Sequence, residues 1–313
     1  MVRRPGSSLL GLVALLCAGS LLEPTAEAGD FLARQRRFSR VKAAADERLP
    51  AIEASFRDAG AAWPPKSIFI RGFKEEKIVE LWAAPRERDA PHVLVRTFPI
   101  CASSGELGPK RREGDLQVPE GFYKVSVFNP QSSYHLSLGV SYPNAADRHH
   151  SRGHSPGSAI MIHGDCVTIG CIPLRDGPIE DLYLAAVLAR DAGQQDIPIH
   201  VFPCRLDTPS CQLVLDAMAE SRPELATFWD GLVPGYLAFL ETGAPPSVTP
   251  QADGTYALTP PKHRRPLVTA EEVHGKTGLD GPVLPEPQMP LQGQYAVDFI
   301  VETIMSRPAG TVT

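Results

Sequence analysis

The sequence predicts an α+β fold in which a β-rich middle lies between helical segments. Between Phe31 and Phe56, apolar residues recur at three- and four-residue steps, which is the spacing of an amphipathic helix. From Ser67 the sequence pattern changes to short runs of β-branched and aromatic residues, which are typical of strands. A helical pattern returns after Asp176. Helices on both sides of a group of strands predict the α+β class.

The first helical segment is assigned to residues 29–65. Pro50 lies inside it and lacks the N–H that a helix interior needs, so we expect two helices or a kink there. Gly60 and the prolines that follow it end the segment. A basic cluster is predicted to form a solvated helix face, and it comprises Arg34, Arg36, Arg37 and Arg40.

Strands and one long connection are predicted in the middle of the chain. The strands are Ile68–Ile70, Ile78–Trp82, His92–Phe98 and Phe122–Phe128. Residues 101–121 contain too many glycines and prolines for a strand or a helix, so they are predicted to be a long loop. Long ordered loops are often functional.

Helices are expected to dominate after this β-rich middle. Asp176 is predicted to cap a helix that Gly193 closes. The strand from Ile197 to Phe202 contains Pro198, which suggests an edge position in the sheet. Val214–Leu240 is predicted to be mostly helical.

The two ends of the chain have the composition of non-core segments. Residues 1–28 resemble a cleavable secretory signal, with Arg3 and Arg4 before an apolar run from Leu9 to Leu22 and a small-residue site at 26–28. A membrane anchor is the alternative, but the run is shorter than the ~20 residues that a spanning helix needs. Residues 261–313 are rich in proline and are predicted to be a disordered tail.

Overall composition excludes few classes of protein. The 313 residues suffice for one large domain or two. A hydrophobic content of 43% with 21% charged residues is ordinary for a globular protein. The net charge of -5 gives no reason to expect nucleic-acid binding.

Cysteine usage indicates disulfides. Once the signal with Cys17 is removed, five cysteines remain. Because this number is odd, an exported protein with two disulfides would keep one free thiol. We expect Cys204 to pair with Cys211, Cys101 to pair with Cys166, and Cys171 to stay free. The alternative is that these are buried thiols, because spacing alone does not set connectivity.

The stretch Ile160–Asp176 concentrates the chemistry. His163 and Gly164 follow an apolar run, at the end of a predicted strand. A short polar loop then leads to Gly170 and Cys171. A thiol becomes a good nucleophile when a base is held beside it. Gly170 allows a substrate carbonyl to approach the backbone closely, so that amide hydrogens point at an oxyanion.

Two alternatives compete with this assignment. Cys166 is nearer to His163 in sequence, but it follows Asp165, whose charge disfavours a thiolate. A zinc site is the second alternative, although the chain lacks Cys-x-x-Cys and His-Glu-x-x-His spacing. Its ligands would come from His149, His150, His154, His163, Cys166 and Cys171.

The order His-Gly, a short gap, Thr-x-Gly-Cys and an apolar residue resembles the catalytic domain of the L,D-transpeptidase (YkuD-type) family. Ile169 and Pro173 stand where the common family pattern has a second His and an Arg, and this departure is similar to the YafK-like branch. Further segments that resemble the branch are Ser104-Gly105, Leu107–Lys110, Glu113–Asp115, Pro119–Tyr123, Tyr134-His135, Tyr142–Asn144 and Asp147-Arg148.

The resemblance implies a mainly β catalytic domain over residues 66–260, with added helices, that acts on peptidoglycan stem peptides in the periplasm. Cys171 would be the nucleophile and His163 the base, with a lowered thiol pKa from an ion pair between them. The Gly164 carbonyl would orient the imidazole, and amides near Gly170 would bind the oxyanion. No metal or organic cofactor is needed.

The same resemblance leaves the acceptor open. An amine acceptor would make the protein a transpeptidase that cross-links or remodels the wall. Water would make it a hydrolase that detaches a lipoprotein from peptidoglycan. A non-catalytic wall-binding module would require the nucleophile or base to be missing, and both are present. Expected substrate-binding residues are Lys110, Arg111, Tyr142, Asn144 and Thr168.

Overall fold

The computed structural model describes residues 30–86 and 90–261 together with Met1. The predicted signal segment and the predicted Pro-rich tail therefore fall outside the described residues, apart from Met1 and Pro261. Within the described ranges, no helix is both long and apolar enough to cross a bilayer.

An eight-stranded mixed sheet forms the centre of the fold, in the order β3-β2-β1-β8-β4-β5-β6-β7. A separate two-stranded sheet pairs β9 with β10. The strands are β1 Ile68–Phe73, β2 Ile78–Ala83, β3 Val93–Pro99, β4 Gly121–Asn129, β5 Ser137–Val140, β6 Met161–His163, β7 Ile172–Pro173, β8 Pro198–Phe202, β9 Ser247–Pro250 and β10 Tyr256–Thr259.

Helices precede, interrupt and follow the strands, which confirms the α+β class. They are α1 Asp30–Gln35, α2 Ser39–Asp58, α3 Ala145–His150, α4 Asp176–Asp191, α5 Pro209–Ser221, α6 Pro223–Asp230 and α7 Val233–Thr242. The long connection between β3 and β4 contains no helix or strand, as the sequence predicted.

Helices cover both faces of the sheet, so strand β1 is buried on both sides. Ile68 and Ile70 contribute to one core together with α2 and α4. Phe69 and Phe73 contribute to the other core together with α5, α6 and α7. Because successive side chains of a strand point to opposite faces, a central strand needs apolar residues in both phases. This explains the unbroken apolar start of β1.

Pro50 and Pro198 differ in part from the sequence-based expectation. Helix α2 continues through Pro50 as one element, so the expected division into two helices does not occur there and falls before Ser39 instead. Pro50 is exposed, so the carbonyl that loses its partner there faces water. Strand β8 is not at an edge, because it lies between β1 and β4. Pro198 is tolerated there because it is the first residue of the strand.

The basic cluster is only partly a solvated face. Arg36 forms a surface pair with Asp46 at 2.5 Å. Arg40 remains exposed, but its Nη1 donates to the carbonyl oxygen of Ser132 at 2.8 Å and to that of His135. The expectation of pure solvation is therefore wrong at Arg40, which connects α2 to the turn between β4 and β5.

The predicted disulfide pattern is present. Cys204 bonds to Cys211, and Cys101 bonds to Cys166 over a sequence separation of 65 residues. Cys171 is the free thiol of the described cysteines. The second bridge joins the long loop to the segment between His163 and Cys171.

Candidate active site

His163 and Cys171 lie at the β6–β7 ladder. The two strands are parallel, with Ile162 opposite Ile172 and His163 opposite Pro173. Both isoleucines are buried in the core. His163 is the last residue of β6, and Cys171 directly precedes β7. The fold therefore brings the predicted base and the predicted nucleophile to two adjacent strands.

The His163 imidazole is held in one tautomer. Its Nδ1 lies 2.5 Å from the carbonyl oxygen of Gly164, which only accepts hydrogen bonds, so Nδ1 carries the proton. Nε2 is then left with a free lone pair. Burial lowers the pKa of His163, against opposing contributions from the Gly164 carbonyl and the Asp165 charge. The ring is neutral and ready to accept a proton.

The Cys171 sulfur is set among backbone groups. Sγ accepts a hydrogen bond from the Met161 amide at 3.4 Å and lies 3.7 Å from the carbonyl oxygen of Ala159. Burial raises the pKa of the Cys171 thiol, while the Met161 amide and the Lys110 charge oppose that rise. These directions describe a resting thiol beside a neutral imidazole, in contrast to the ion pair expected from the sequence.

The loop before Cys171 is organised by the Thr168 hydroxyl. Its oxygen accepts from the amides of Gly170 at 3.1 Å and Cys171 at 2.9 Å, and it donates to the Cys171 carbonyl at 2.8 Å. Gly170 has φ 133°, and a Cβ there would lie 3.1 Å from the Gln117 carbonyl oxygen. The two amides expected to form the oxyanion hole therefore have a partner in this structure, which the sequence did not indicate.

Gly164 is required by close packing behind His163. A Cβ there would lie 2.7 Å from Asp176 Oδ1 and 2.8 Å from the Cβ of His135. Asp176 does not cap α4, whose N-cap residue Arg175 has no side-chain capping bond. Its Oδ1 accepts from the Asp165 amide at 2.9 Å instead. The carboxylate thus ties the loop between His163 and Cys171, the proposed catalytic loop, to the start of α4.

A cavity of about 250 Å³ opens beside Cys171. Its lining comes from the β1–β2 hairpin, the start of the 101–121 loop and β7. Ser104 lines it, and its buried hydroxyl has no hydrogen-bond partner. Lys74 also lines it, but its Nζ already contacts Gly108 O at 2.8 Å and Glu120 Oε1 at 2.9 Å. The cavity therefore offers a mostly apolar lining with the buried, unpaired Ser104 hydroxyl.

The two basic residues of the long loop that were predicted to bind substrate, Lys110 and Arg111, contact other residues of the protein. Lys110 is buried, and its Nζ binds Asp115 Oδ1 at 2.6 Å and the Arg112 carbonyl at 2.9 Å. The guanidinium of Arg111 lies 4.8 Å from the ring centroid of Phe228. The positive charge of Lys110 lowers the pKa of Cys171 and so opposes the effect of burial.

The predicted peptide-binding pair also has structural partners. The Tyr142 hydroxyl donates to the Pro156 carbonyl at 2.9 Å. Asn144 is the N-cap of α3 and forms a reciprocal capping box with Asp147. The structure thus places both residues in the scaffold around the site, and leaves contact with substrate untested.

The residues proposed for zinc do not converge. His149 Nδ1 and His150 Nε2 each lie 3.0 Å from a backbone carbonyl oxygen, of Ala252 and Gly254 respectively. Cys166 is in a disulfide. Within residues 30–86 and 90–261, no group of three His, Cys, Asp or Glu side chains is placed to hold a metal ion.

Tyr134 is a neighbour of the site that the sequence did not assign to it. Its ring centroid lies 4.8 Å from that of His163, with 34° between the planes. The residues are far apart in sequence and meet because β5 pairs with β6. The Tyr-His pair at 134–135 carried part of the family resemblance, which was the one available signal.

Comparison with known proteins identifies the class. The model of the L,D-transpeptidase catalytic domain, YkuD, matches residues 81–193. The chain is 34% identical over 196 residues to "Putative L,D-transpeptidase YafK" of Escherichia coli K12, covering 62% of this chain and 74% of that protein. The protein of the same name from Escherichia coli O157:H7 matches equally. The chain therefore belongs to the L,D-transpeptidase (YkuD) family, and it is an enzyme of the kind that modifies peptidoglycan.

Solved structures show more distant likeness. The helical cell shape determining protein Pgp2 of Campylobacter jejuni is 18% identical, covering 60% of this chain and 68% of that one, with a TM-score of 0.35. L,D-transpeptidase 1 of Mycobacterium tuberculosis is 16% identical, covering 44% and 62%, with a TM-score of 0.24. Likenesses this distant carry no argument about function.

Proposed function

We propose that the protein is a peptidoglycan L,D-transpeptidase that forms a thioester on Cys171. The single observation that carries this proposal is the pairing at the β6–β7 ladder. The ladder brings the free thiol of Cys171 and the imidazole of His163 to adjacent strands, and the imidazole has Nδ1 on the Gly164 carbonyl and Nε2 unprotonated. This is the arrangement that nucleophilic acyl transfer requires.

The reaction begins from the neutral pair. His163 Nε2 takes the proton from the Cys171 thiol as Sγ attacks the carbonyl carbon at the L-centre of diaminopimelate in a stem peptide. The tetrahedral intermediate collapses when His163 returns that proton to the leaving amine, and a thioester remains. An amine or water then attacks the thioester, with His163 accepting its proton. The C–S bond breaks, and His163 returns that proton to the departing Cys171 sulfur.

Charge on the substrate oxygen is stabilised by the amides of Gly170 and Cys171. Both amides donate to Thr168 Oγ1 before substrate binds. The developing oxyanion is a stronger acceptor than a hydroxyl, so it draws these donors away. Thr168 therefore holds the two amides in place until the substrate carbonyl arrives.

The cavity beside Cys171 is the proposed binding site for the stem peptide. The aliphatic part of the stem would pack on its apolar lining, and a peptide carbonyl or amide would meet the buried Ser104 hydroxyl. The mature enzyme would start after Ala28 and act in the periplasm, in contact with the wall. The residues involved are the same for transfer and for hydrolysis, and cleavage of a lipoprotein–peptidoglycan link is the second outcome to measure.

The test uses the mature chain with muropeptides and, separately, with lipoprotein-linked muropeptides, and the products are resolved by mass. Exchange or cross-linking of stem peptides supports the transpeptidase, whereas release of lipoprotein alone supports the hydrolase. Cys171→Ala should abolish either reaction and remove the acyl-enzyme mass. Cys166→Ala should keep part of the activity, and the reverse pattern would exchange the roles of the two cysteines.

A further inference from the structure

Tyr134 covers the proposed base. Its ring lies 4.8 Å from the imidazole of His163 at a 34° tilt, which is within the range of favourable aromatic contacts. Tyr134 is 45% exposed, while His163 is 2% exposed. The tyrosine thus forms an outer layer between the imidazole and solvent.

The backbone around Tyr134 is held in a defined turn. The Tyr134 amide donates to the Ser132 hydroxyl at 3.0 Å. His135 follows with φ 66°, a left-handed conformation that needs support from its surroundings. The support includes a contact of 2.7 Å between His135 Nε2 and Glu180 Oε1 on α4.

Helix α2 holds the same turn from outside. Arg40 donates to the Ser132 carbonyl oxygen at 2.8 Å and to the His135 carbonyl, one on each side of Tyr134. Further along α2, Arg48 contacts Glu180 at 3.5 Å and Asp181 at 2.6 Å. Helix α2 precedes residues 81–193, which the family model matches.

We propose that Tyr134 is a positioning residue for His163, and that α2 fixes Tyr134 through Arg40. This inference rests on the proposed function, because it gives His163 the role of base. Tyr134 restricts rotation of the imidazole and excludes water from it. Arg40 contributes by donating hydrogen bonds to the carbonyls of Ser132 and His135, which fix the backbone on both sides of Tyr134.

The charges that face the pair set the direction of the expected change. Asp165 acts on His163 from the catalytic loop, and Lys110 acts on Cys171 from the long loop. Asp176 and His135 approach from behind Gly164. Replacing Tyr134 with alanine changes none of these charged groups. The expected effect on the pKa of His163 therefore comes from greater hydration of its ring. Since burial holds the pKa of His163 down, exposing the ring should move that pKa up.

The first experiment compares Tyr134→Ala with Tyr134→Phe in the full mature chain. NMR titration of the His163 ring protons and the pH profile of Cys171 alkylation are measured for each. Tyr134→Ala should raise the pKa of His163 and slow alkylation at neutral pH by roughly tenfold, a fraction of what a general base supplies. Tyr134→Phe keeps the ring and should match the wild type. An unchanged titration in Tyr134→Ala would overturn the proposal.

The second experiment tests the link to α2. Arg40→Ala should shift the His163 titration in the same direction as Tyr134→Ala, by a smaller amount. Arg36→Ala is the matched control, because Arg36 pairs on the surface with Asp46 and does not contact the turn. Thermal melting checks that each variant folds. Equal titrations for Arg40→Ala and Arg36→Ala would remove α2 from the proposal.

His163→Ala distinguishes failure of the positioning role of Tyr134 from failure of the proposed function. If it alters the alkylation profile and Tyr134→Ala does not, the positioning role fails and the dyad stands. If His163→Ala leaves the profile unchanged, the proposed function itself fails.

Discussion

At the scale of single residues, burial works against the ion pair that a cysteine and a histidine are expected to form. It raises the pKa of the Cys171 thiol and lowers that of His163, so both groups favour their neutral forms. Under the proposed function, the proton would therefore pass from Cys171 to His163 only as the thiol attacks the substrate. A resting thiol is also less exposed to oxidation than a thiolate.

The first prediction concerns the pH profile of Cys171 alkylation. The rate should fall as pH drops through the lowered pKa of His163, because a protonated imidazole accepts no proton from the thiol. His163→Ala should lose this dependence, react roughly a hundredfold more slowly at neutral pH, and keep only the inflection of the thiol itself. Peptide mass spectrometry across pH measures both profiles, and superimposable curves would rule out the dyad.

The second prediction concerns Thr168. Thr168→Val preserves shape but removes three hydrogen bonds to the Gly170 and Cys171 backbone. Without these bonds the loop no longer holds the two amides in the orientation that the oxyanion needs, so acylation should fall by roughly tenfold. Thr168→Ser keeps the hydroxyl and should stay near the wild type. Faster acylation in Thr168→Val would mean that the hydroxyl competes with the substrate for the amides.

At the scale of elements, the catalytic loop is built from contacts to three neighbours. The disulfide ties Cys166 to Cys101 at the start of the long loop. Asp176 on α4 accepts from the Asp165 amide. The Gly170 backbone passes close to the Gln117 carbonyl. Between these contacts Ile169 is 80% exposed, so the loop depends on its attachments more than on its own burial.

The third prediction compares the two disulfides. Removing Cys101 and Cys166 together as alanines should cost more unfolding free energy than removing Cys204 and Cys211, because the sequence separations are 65 and 7 residues. The chain-entropy model puts the difference at about 2 kcal/mol. Urea unfolding of both double variants measures it. Equal losses would show that native-state strain, and not loop closure, governs these bridges.

At the scale of the whole molecule, buried histidines link stability to pH. His200 lies between the rings of Phe69 and Phe122, at 4.6 and 4.8 Å. Burial lowers the pKa of His200 from 6.5 to about 3, and the Arg71 charge adds to the effect. Burial also lowers the pKa of His92 to about 4. Asp147 acts in the opposite sense, because burial raises its pKa to about 6.

The fourth prediction follows from the sign of these shifts. The folded-state pKa of His200 lies below its unfolded value, so the unfolded chain binds the proton first. Its contribution to stability is complete above about pH 6.5 and declines toward pH 3, by about 1.4 kcal/mol per pH unit. His200→Leu should flatten this decline in urea unfolding at pH 7 and pH 4.5. An equally steep loss in the variant would place the acid sensitivity elsewhere.

The amino-acid sequence alone determined those elements whose pattern is local. Strands β1 to β4, helix α4 and the long loop followed from periodicity and breakers, because those signals depend on a few neighbouring residues. The sequence order of His163, Gly164, Gly170 and Cys171 indicated the chemistry. The odd number of cysteines indicated one free thiol, but it did not set the pairing of the others. No comparable local signal marked β8 as a central strand.

Only the tertiary structure decided which distant residues meet at the site. Tyr134 packs on His163 because β5 and β6 pair in one register, and Arg40 reaches Ser132 across 92 positions. The Thr168 hydroxyl accepts hydrogen bonds from the Gly170 and Cys171 amides because the backbone of the loop folds around it. Such contacts depend on how a whole sheet is ordered and covered. Periodicity within one segment predicts which face is buried, but not which partner covers it.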